Sequence, residues 1–276
     1  MLIGTNAILW DAKQSGYAVP APDFIDSNSV RAFVRTAERL HLPVIISYAE
    51  VHKDHLSVEE AADLGLFYAR RSSAPVALHL DHGMHFDVIE QAVNLGFSSV
   101  MVDASDEPLE ENIRRTKEVL KLANASKVAV EAELGHVATE GWGIPELASG
   151  TVYTDPEEAK RFVAETGVDS LAVSIGTAHG KYVGTPVISF DRLALLNQGL
   201  SVPLVLHGGS GSGDENLSRC AKGGICKVNL FTDFICAALD SVGDRQPDSW
   251  LRLLREGDAA MERVLEHYYG VLGCLN

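Results

Sequence analysis

Eight short runs of apolar, often β-branched residues recur along the chain, and longer amphipathic segments separate them. This alternation is typical of strand–helix units built around a parallel sheet. The predicted strands lie near Tyr17–Val19, Val44–Ser47, Val76–Leu80, Ser99–Val102, Val128–Glu133, Ser170–Ser174, Pro203–Leu206 and Cys226–Val228. Eight units in 276 residues fit a (β/α)8 barrel, which takes about 250 residues, so we expect one α/β TIM-barrel domain over residues 1–276.

Helix signals occur in the segments between these runs. Ser29–Leu40 carries apolar residues at the i, i+3, i+4 and i+7 spacing of a helix that faces a core. Asp155 is a suitable N-cap for a helix that begins at Pro156, and Gly167 should end that helix. Trp250–Gly270 is also helical by its pattern, which predicts a C-terminal helical extension to the barrel.

Composition excludes several classes of protein. With 46% hydrophobic and 22% charged residues, the chain is neither disordered nor fibrous, and no apolar run approaches the ~18 residues of a membrane span. The formal net charge of −15, from 23 basic and 38 acidic residues, disfavours binding to nucleic acid or to an anionic membrane. The four cysteines show no CxxC spacing, and no secretory leader pattern follows Met1, so we expect a reduced, cytoplasmic protein.

Histidines follow three of the predicted strands at the point where each strand ends. His82, His179 and His207 come from the third, sixth and seventh units, and glycine follows each of them. Active sites of parallel barrels form at the carboxyl ends of the strands. Three converging imidazoles are a typical ligand set for a catalytic divalent metal, with one coordination position left for substrate. The alternative is that these histidines are hydrogen-bonded structural residues.

The third strand places further ionisable groups beside His82. Period-two alternation puts His79 and Asp81 on one face of this strand. His79 lies one pleat further inside, where we expect a packing or supporting role, and His85 is a weaker candidate ligand. The remaining histidines lack a position at a strand end and are not expected to bind metal; they are His41, His52, His55, His136 and His267.

Two segments near the end of the barrel are suited to phosphate. The turn Gly208–Gly211 follows the seventh strand, and Lys227–Asp233 closes the eighth. Backbone N–H groups in a glycine-rich turn, a serine hydroxyl and the start of the next helix can together hold an anion, and barrels commonly bind phosphate after strands seven and eight. An ordinary tight turn remains the alternative for Gly208–Gly211.

Several segments in order resemble the class II, metal-dependent ketose-bisphosphate aldolases, in particular the fructose- and tagatose-bisphosphate branch. The resemblance runs from Tyr17 to about Asp233. The segments that carry it are Tyr17–Pro20, Leu78–Gly83, Val102–Ser105, Val130–Gly135, Gly176–Gly180, Leu206–Gly211 and Lys227–Asn229.

This resemblance implies roles for individual residues. His82, His179 and His207 would bind a catalytic zinc ion, and Asp81 would be the acid/base at the C4 oxygen. Asp103 and Glu133 match acidic positions that hold a second or alternate metal, or a monovalent cation, in family members; a hydrogen-bonded rim carboxylate is the alternative for both. The dihydroxyacetone-phosphate half of the substrate would be held by Gly180, Gly208, Gly209, Ser210, Asn229, Leu230, Phe231 and Thr232.

The implied reaction suits these residue types. Cleaving the C3–C4 bond of a ketose leaves a carbanion at C3, and a divalent cation can stabilise the resulting enediolate. Asp81 would take the C4-hydroxyl proton as the aldehyde leaves. A second group must protonate the enediolate. In the family this group is a glutamate on the loop after strand five. Here that loop is the glycine-rich segment Thr139–Thr154, which we expect to be mobile, and Glu140 is the nearest candidate for the glutamate.

The chain departs from the family pattern in three places. The loop after strand five has Ala138–Gly143 where relatives carry a glycine pair and an acidic cluster, and Ala21–Asp23 replaces the usual Ala-Phe-Asn. Ile235 stands where a basic or polar residue often contacts the far phosphate. Because an aliphatic group cannot pair with a phosphate dianion, we expect an aldehyde half that is unphosphorylated or smaller, unless an arginine from elsewhere or from a neighbouring subunit substitutes.

Two other functions remain open at the level of sequence. A zinc-dependent hydrolase on the same barrel would use the metal to activate water and Asp81 as its base. A non-catalytic sugar-phosphate binding subunit would keep the barrel alone, but it would have no need of an acid/base beside three histidines. Relatives in the resembled family are dimers or tetramers, so we expect a homodimer or homotetramer with a small-molecule sugar-phosphate substrate.

Overall fold

The computed structural model describes residues 1–135, 153–180, 182, 184, 186–243 and 249–275. Its eight parallel strands lie side by side in the order β1-β8-β7-β6-β5-β4-β3-β2, which confirms the predicted barrel. The strands are β1 (Val19–Pro22), β2 (Val44–Ala49), β3 (Val76–Gly83), β4 (Ser99–Val102), β5 (Ala129–Leu134), β6 (Ser170–Val173), β7 (Leu204–Leu206) and β8 (Ile225–Leu230).

Ten helices surround or close the barrel in the described part of the chain. They are α1 (Thr5–Ser15), α2 (Ser27–Leu40), α3 (Val58–Arg71), α4 (Phe86–Leu95), α5 (Leu109–Ser126), α6 (Pro156–Thr166), α7 (Phe190–Gly199), α8 (Asp214–Lys222), α9 (Thr232–Val242) and α10 (Trp250–Val271). A short 3-10 helix, Glu50–His52, follows β2. None of the described helices combines the length and the apolar character that crossing a bilayer requires.

Prolines determine where the barrel closes between β1 and β2. Alternate N–H groups of a strand point to opposite neighbours, and the positions of Pro20 and Pro22, which have no N–H, face β2. Phe24 is the first residue beyond them on that side, and its N–H donates to the Ser47 carbonyl at 2.9 Å. The strand predicted near Tyr17–Val19 therefore lies a few residues further along the chain, because the two prolines weaken its strand pattern.

Side chains alternate between the inside and the outside of the barrel along each strand. Outward residues pack beneath the surrounding helices and form the larger apolar core. The amino end of the interior is filled by a second apolar cluster, in which α1 contributes Ile8, Leu9 and Ala12 and the strands contribute Val19, Ala21, Ile45, Ala77 and Cys226. Helix α1 therefore closes one end, and the interior becomes polar only toward the carboxyl ends of the strands.

Local capping explains the helix boundaries. The Asp155 carboxylate accepts hydrogen bonds from the N–H groups of Glu157 and Glu158 at 2.9 and 3.1 Å, and Gly167 ends α6 with φ 69°, as the sequence predicted. Helix α2 begins two residues earlier than expected because the Asp26 carboxylate caps it, accepting from the Ser29 N–H at 2.7 Å. Capping side chains therefore decide where these helices begin.

The C-terminal extension packs against the barrel. Helix α10 lies against α2 and α9 and buries Met261, Leu265 and Tyr269. The Tyr269 hydroxyl donates to the carbonyl of Pro43 at 2.9 Å, which ties the helix to the segment that leads into β2. The predicted helix over Trp250–Gly270 is thus present, and it contacts strand β1 as well as helices α2 and α9.

Candidate active site

Three histidines meet at the carboxyl end of the barrel. One ring nitrogen from each of His82, His179 and His207 lies within 4.8 Å of the others. The Nε2 atom of His82 is 3.0 Å from the Nδ1 atom of His207, and the ring centroids are separated by 4.7 to 6.0 Å. The structure therefore brings together the three predicted histidines, although His179 lies in the loop six residues beyond the end of β6 and not at the strand end itself.

The backbone at the end of β3 directs His82 into the site. His82 adopts φ 47°, in the left-handed region that residues other than glycine rarely occupy. The pairing of β3 with β4 shifts between Leu80 and Gly83, so the strand bends at this point. A Cβ atom on Gly83 would lie 2.4 Å from the Met101 carbonyl oxygen, so only glycine fits after the histidine. Local strain at a functional site of this kind is typical.

The second nitrogens of two of these histidines contact carboxylates. His82 Nδ1 lies 2.7 Å from Asp103 Oδ2, and His207 Nε2 lies 2.9 Å from Glu131 Oε1. Asp103 is held in turn by the N–H and the hydroxyl of Ser105, at 3.1 and 2.8 Å. A carboxylate on one ring nitrogen orients the other toward a metal. His82 therefore directs Nε2, and His207 directs Nδ1, toward their common centre.

This donor set fits a zinc ion. Tetrahedral zinc binds imidazole nitrogen at about 2.0–2.1 Å, so two such nitrogens on one ion lie about 3.3 Å apart. The 3.0 Å between His82 Nε2 and His207 Nδ1 is close to that spacing. The three imidazoles carry no net charge when neutral and leave one tetrahedral position for a substrate oxygen.

The charges around His82 and His207 shift the pKa values of these two histidines in opposite directions. Burial alone would lower the pKa of His82, but the Asp81 carboxylate and the hydrogen bond to Asp103 outweigh it and raise this pKa to about 10. His207 behaves in the opposite way, because burial and the nearby positive charge of His82 hold its pKa well below the ordinary value. Burial opposes ionisation of Asp103 as well, yet its hydrogen bond from His82 lowers the pKa of that carboxyl.

Asp81 points into the barrel beside the histidines. Its side chain is buried; Oδ1 accepts a hydrogen bond from Asn229 Nδ2 at 2.6 Å, and Oδ2 lies 3.8 Å from His82 Nε2. Burial would raise the pKa of Asp81, but positive charge on His82 and neighbouring groups outweighs it and holds the pKa below the usual value. Asp81 is therefore an ionised carboxylate at the inner edge of the histidine cluster.

Buried polar atoms near Asp81 offer further contacts. Asp23 Oδ1, Ser47 Oγ and Asn229 Oδ1 have no hydrogen-bond partner within the described part of the chain, although all three residues are buried. They come from β2, β8 and the end of β1, which are neighbours at the closure of the barrel. Buried polar atoms normally have a partner, so these atoms suit a hydroxylated ligand.

Two predicted acidic residues lie on the other side of His82. Asp103 follows β4 and Glu133 lies on β5, and one oxygen of each falls within 4.8 Å of a His82 nitrogen. For Asp103 this contact is the hydrogen bond with His82 Nδ1. The structure places both at the rim where the sequence expected them, in reach of the same histidine.

The glycine-rich turn lies against the start of α9. Ser210 Oγ accepts the N–H groups of Phe231 and Asp233 at 3.1 and 3.3 Å, and the Gly209 N–H donates to the Asn229 carbonyl at 3.0 Å. The turn after β7 and the end of β8 therefore form one surface beside His207, and Gly180 follows His179 on the adjoining loop. The residues on this surface that were predicted to bind substrate are Gly180, Gly208, Gly209, Ser210, Asn229, Leu230, Phe231 and Thr232.

Two predicted features fall in other places. Ile235 is half-buried in the first turns of α9. Glu140 and most of the predicted loop Thr139–Thr154 lie outside the described residues.

Sequence reasoning missed the buried charges beneath the histidines. The sequence motifs include Lys227 and Glu131 without assigning them a role, and His79 is predicted only to pack or to support its neighbours. In the structure all three are buried, with Lys227 Nζ lying 2.7 Å from Glu131 Oε2 and 3.0 Å from His79 Nε2. Charged residues at inward positions of otherwise apolar strands were the available signal, since such residues are buried only when paired.

A TIM barrel with a histidine cluster and a buried carboxylate at its carboxyl end defines a class of metal-site barrel enzymes. Comparison with known proteins narrows this class. The model of the family described as fructose-bisphosphate aldolase class-II matches residues 3–276, so the chain belongs to that family. Aldolases are carbon–carbon lyases, and family membership decides for a lyase over the hydrolase and the non-catalytic alternatives.

Solved structures of aldolases are similar over almost the whole chain. The YdjI aldolase from Escherichia coli K12 is 33% identical with a TM-score of 0.90, covering 99% of this chain and 98% of its own. A putative fructose-1,6-bisphosphate aldolase from Coccidioides immitis is 28% identical, with a TM-score of 0.89 and coverage of 98% and 96%. The fructose-bisphosphate aldolase from Campylobacter jejuni is 26% identical, with a TM-score of 0.84 and coverage of 100% and 96%.

Proposed function

We propose that this aldolase is zinc-dependent and reversibly cleaves the C3–C4 bond of a ketose phosphate to dihydroxyacetone phosphate and an aldehyde. The substrate would resemble fructose or tagatose bisphosphate, or a related ketose 1-phosphate. The observation that carries the proposal is the meeting of His82, His179 and His207 within 4.8 Å of one another, beside the buried carboxylate of Asp81.

His82, His179 and His207 would hold the zinc ion. The chemistry that zinc supplies in such a site is Lewis-acid stabilisation of the enediolate charge. Asp103 and Glu131 keep the rings of His82 and His207 in place through their second nitrogens. Asp103 and Glu133 would take a second metal or a monovalent cation, since both reach toward His82.

Asp81 would remove the proton from the C4 hydroxyl as the aldehyde leaves. Its low pKa keeps it ionised and ready to accept that proton. The bond from Asn229 Nδ2 holds one carboxylate oxygen, which leaves the other for the substrate. Glu140 would then exchange a proton at C3 of the enediolate; this role is proposed from the family resemblance.

The turn Gly208–Ser210 and the segment Asn229–Thr232 would hold the phosphate of dihydroxyacetone phosphate, together with Gly180. Ser210 joins the turn to the start of α9, whose positive dipole end favours an anion. At the other end of the substrate, the aliphatic Ile235 supports an aldehyde half that is unphosphorylated or smaller. The enzyme would act in the cytoplasm as a homodimer or homotetramer.

Replacement of Asp81 tests the acid/base assignment. Asp81→Asn keeps the size of the side chain and its contact with Asn229 but cannot accept the proton. We expect kcat/KM for cleavage to fall by about 10²–10⁴-fold, the usual contribution of general acid–base catalysis, with zinc content unchanged. The matched control is Asp63→Asn on the exposed face of α3, which should keep full activity.

The decisive measurements are cleavage of a panel of ketose phosphates and the zinc content of the purified protein. A protein that retains full lyase turnover after chelation and dialysis contradicts the zinc assignment. Strong preference for fructose 1,6-bisphosphate over 1-phosphate ketoses contradicts the unphosphorylated aldehyde half. Exchange with solvent of a hydrogen on the hydroxymethyl carbon of dihydroxyacetone phosphate, which is C3 of the ketose, separates enediolate formation from C–C cleavage.

A further inference from the structure

A second group of potential ligands lies deeper in the barrel than the histidine cluster. His79 and Asp81 are inward residues of β3, and Glu131 is an inward residue of β5. One ligand atom from each lies within 4.8 Å of the others, and all three side chains are buried. An imidazole and two carboxylates at this spacing are suited to a cation.

The ammonium group of Lys227 already lies at this second group. Its Nζ atom is 2.7 Å from Glu131 Oε2 and 3.0 Å from His79 Nε2, and the side chain is fully buried. Lys227 comes from β8 and Glu131 from β5, and the two residues are 96 positions apart in the sequence. A buried ammonium is costly unless it is paired, and these contacts supply the pairing.

Hydrogen-bond chemistry fixes the direction of each contact. An ammonium group only donates, so His79 Nε2 is an acceptor and the ring proton is on Nδ1, which lies 2.5 Å from Ser99 Oγ. Glu131 accepts from Lys227 through Oε2 and from His207 through Oε1, at 2.9 Å. His207 therefore carries its proton on Nε2 and presents the Nδ1 lone pair to His82 and His179.

We propose that Lys227 is a positioning residue for metal binding, because its ammonium holds Glu131 in the orientation that makes His207 present Nδ1. The Lys227 ammonium thus supplies the positive charge that a cation bound by His79, Asp81 and Glu131 would otherwise supply. The proposal rests on the metal site described under the proposed function, and it adds a determinant of that site's affinity that touches neither metal nor substrate.

Lys227→Met removes the ammonium and keeps an unbranched side chain of similar length. We expect the dissociation constant for zinc to rise by about 10- to 100-fold, as is typical when the support of a metal-bound histidine is lost. Competition with a chromophoric chelator gives this constant without use of enzyme activity. The matched control is Lys222→Met, an exposed lysine at the end of α8, which should bind zinc as the unaltered protein does.

The histidine tautomer gives a second and independent measurement. In metal-free protein labelled with ¹⁵N-histidine, the structure predicts that His207 is protonated on Nε2 and His79 on Nδ1. Lys227→Met should remove the single tautomer of both rings. A folded Lys227→Met protein with unchanged tautomers and a zinc dissociation constant within twofold of the unaltered protein overturns the proposal.

Lys227→Met leaves Glu131 buried without its cation, so the variant can fail to fold. The double variant Lys227→Met/Glu131→Leu removes both charges, and apolar replacement of a buried pair is often tolerated. It should fold and show the same loss of zinc affinity, because His207 has lost its acceptor; unchanged affinity would again overturn the proposal. If the unaltered protein itself binds no zinc, the metal site of the proposed function is wrong, which is a different result.

Discussion

At the scale of single residues, glycine next to a histidine controls the geometry of the site. Gly208 follows His207 with φ 67°, and a Cβ atom there would lie 2.3 Å from the Ala178 carbonyl oxygen. The loops after β6 and β7 can approach each other only because this atom is missing. Their approach is what brings His179 and His207 to the same centre.

Gly208→Ala is therefore expected to lower the free energy of unfolding by more than the penalty for a positive φ alone. Gly167, at the end of α6, is a matched control because it has φ 69° and nothing within 4 Å of an added Cβ atom. Gly167→Ala should lower the free energy of unfolding by about 1–2 kcal/mol and leave activity intact. Gly208→Ala should lower it further and reduce kcat/KM at least tenfold. Urea unfolding and the cleavage assay measure both; equal effects of the two variants would show that the close approach is unimportant.

At the scale of elements, helix α10 is attached to α2 by ion pairs of different burial. Arg31 lies 2.5 Å from Asp258, whose side chain is only 10% exposed, whereas the Arg39–Glu266 pair at 2.8 Å is 49% and 46% exposed. The hydrogen bond that Arg31 donates to the Asp258 carboxylate raises the pKa of Arg31. Solvent screens the exposed pair more strongly, so the two pairs should differ in their contribution to stability.

Replacing the two arginines tests this difference. Arg31→Ala leaves the mostly buried Asp258 carboxylate without its cation, and we expect the free energy of unfolding to fall by about 1–3 kcal/mol. Arg39→Ala removes an exposed pair and should cost about 0–1 kcal/mol. Thermal and urea unfolding of both variants check the ranking. A larger loss for Arg39→Ala would show that α10 is not anchored through Asp258.

At the scale of the whole molecule, buried histidines should make stability depend on pH. In metal-free protein, the pKa of His82 is raised to about 10, so its contribution to stability is complete below the unfolded pKa of about 6.5 and is lost as pH rises toward 10. The pKa values of His79 and His207 are well below normal because both are buried, so their contribution is complete above about 6.5 and is lost as pH falls. Burial and the charge of Asp81 raise the pKa of Asp23, which offsets part of the loss at acid pH.

The metal-free protein should therefore be most stable near pH 6.5. For each proton that the folded and unfolded states bind unequally, the free energy of unfolding changes by about 1.4 kcal/mol per pH unit. Urea unfolding in the presence of a chelator, from pH 5 to pH 8.5, should show a decline on both sides of this maximum. A free energy of unfolding that increases steadily from pH 6.5 to 8.5 would contradict the assigned protonation of His82.

Two statements about the whole molecule remain predictions. One is that residues 1–276 form a single domain, and the other is that the enzyme is a homodimer or homotetramer.

The amino-acid sequence alone determined the eight strands, the shared face of His79 and Asp81 on the third strand, and the three histidines that follow strands. These features follow from local periodicity and from the rule that parallel strands present their carboxyl ends on one side, so they need no knowledge of distant contacts. Only the tertiary structure decided which inward residues meet across the barrel. The closure beside Pro20 and Pro22, and the contacts of Lys227 with Glu131 and His79, 96 and 148 residues away, depend on the stagger of the closed sheet, which no local pattern contains.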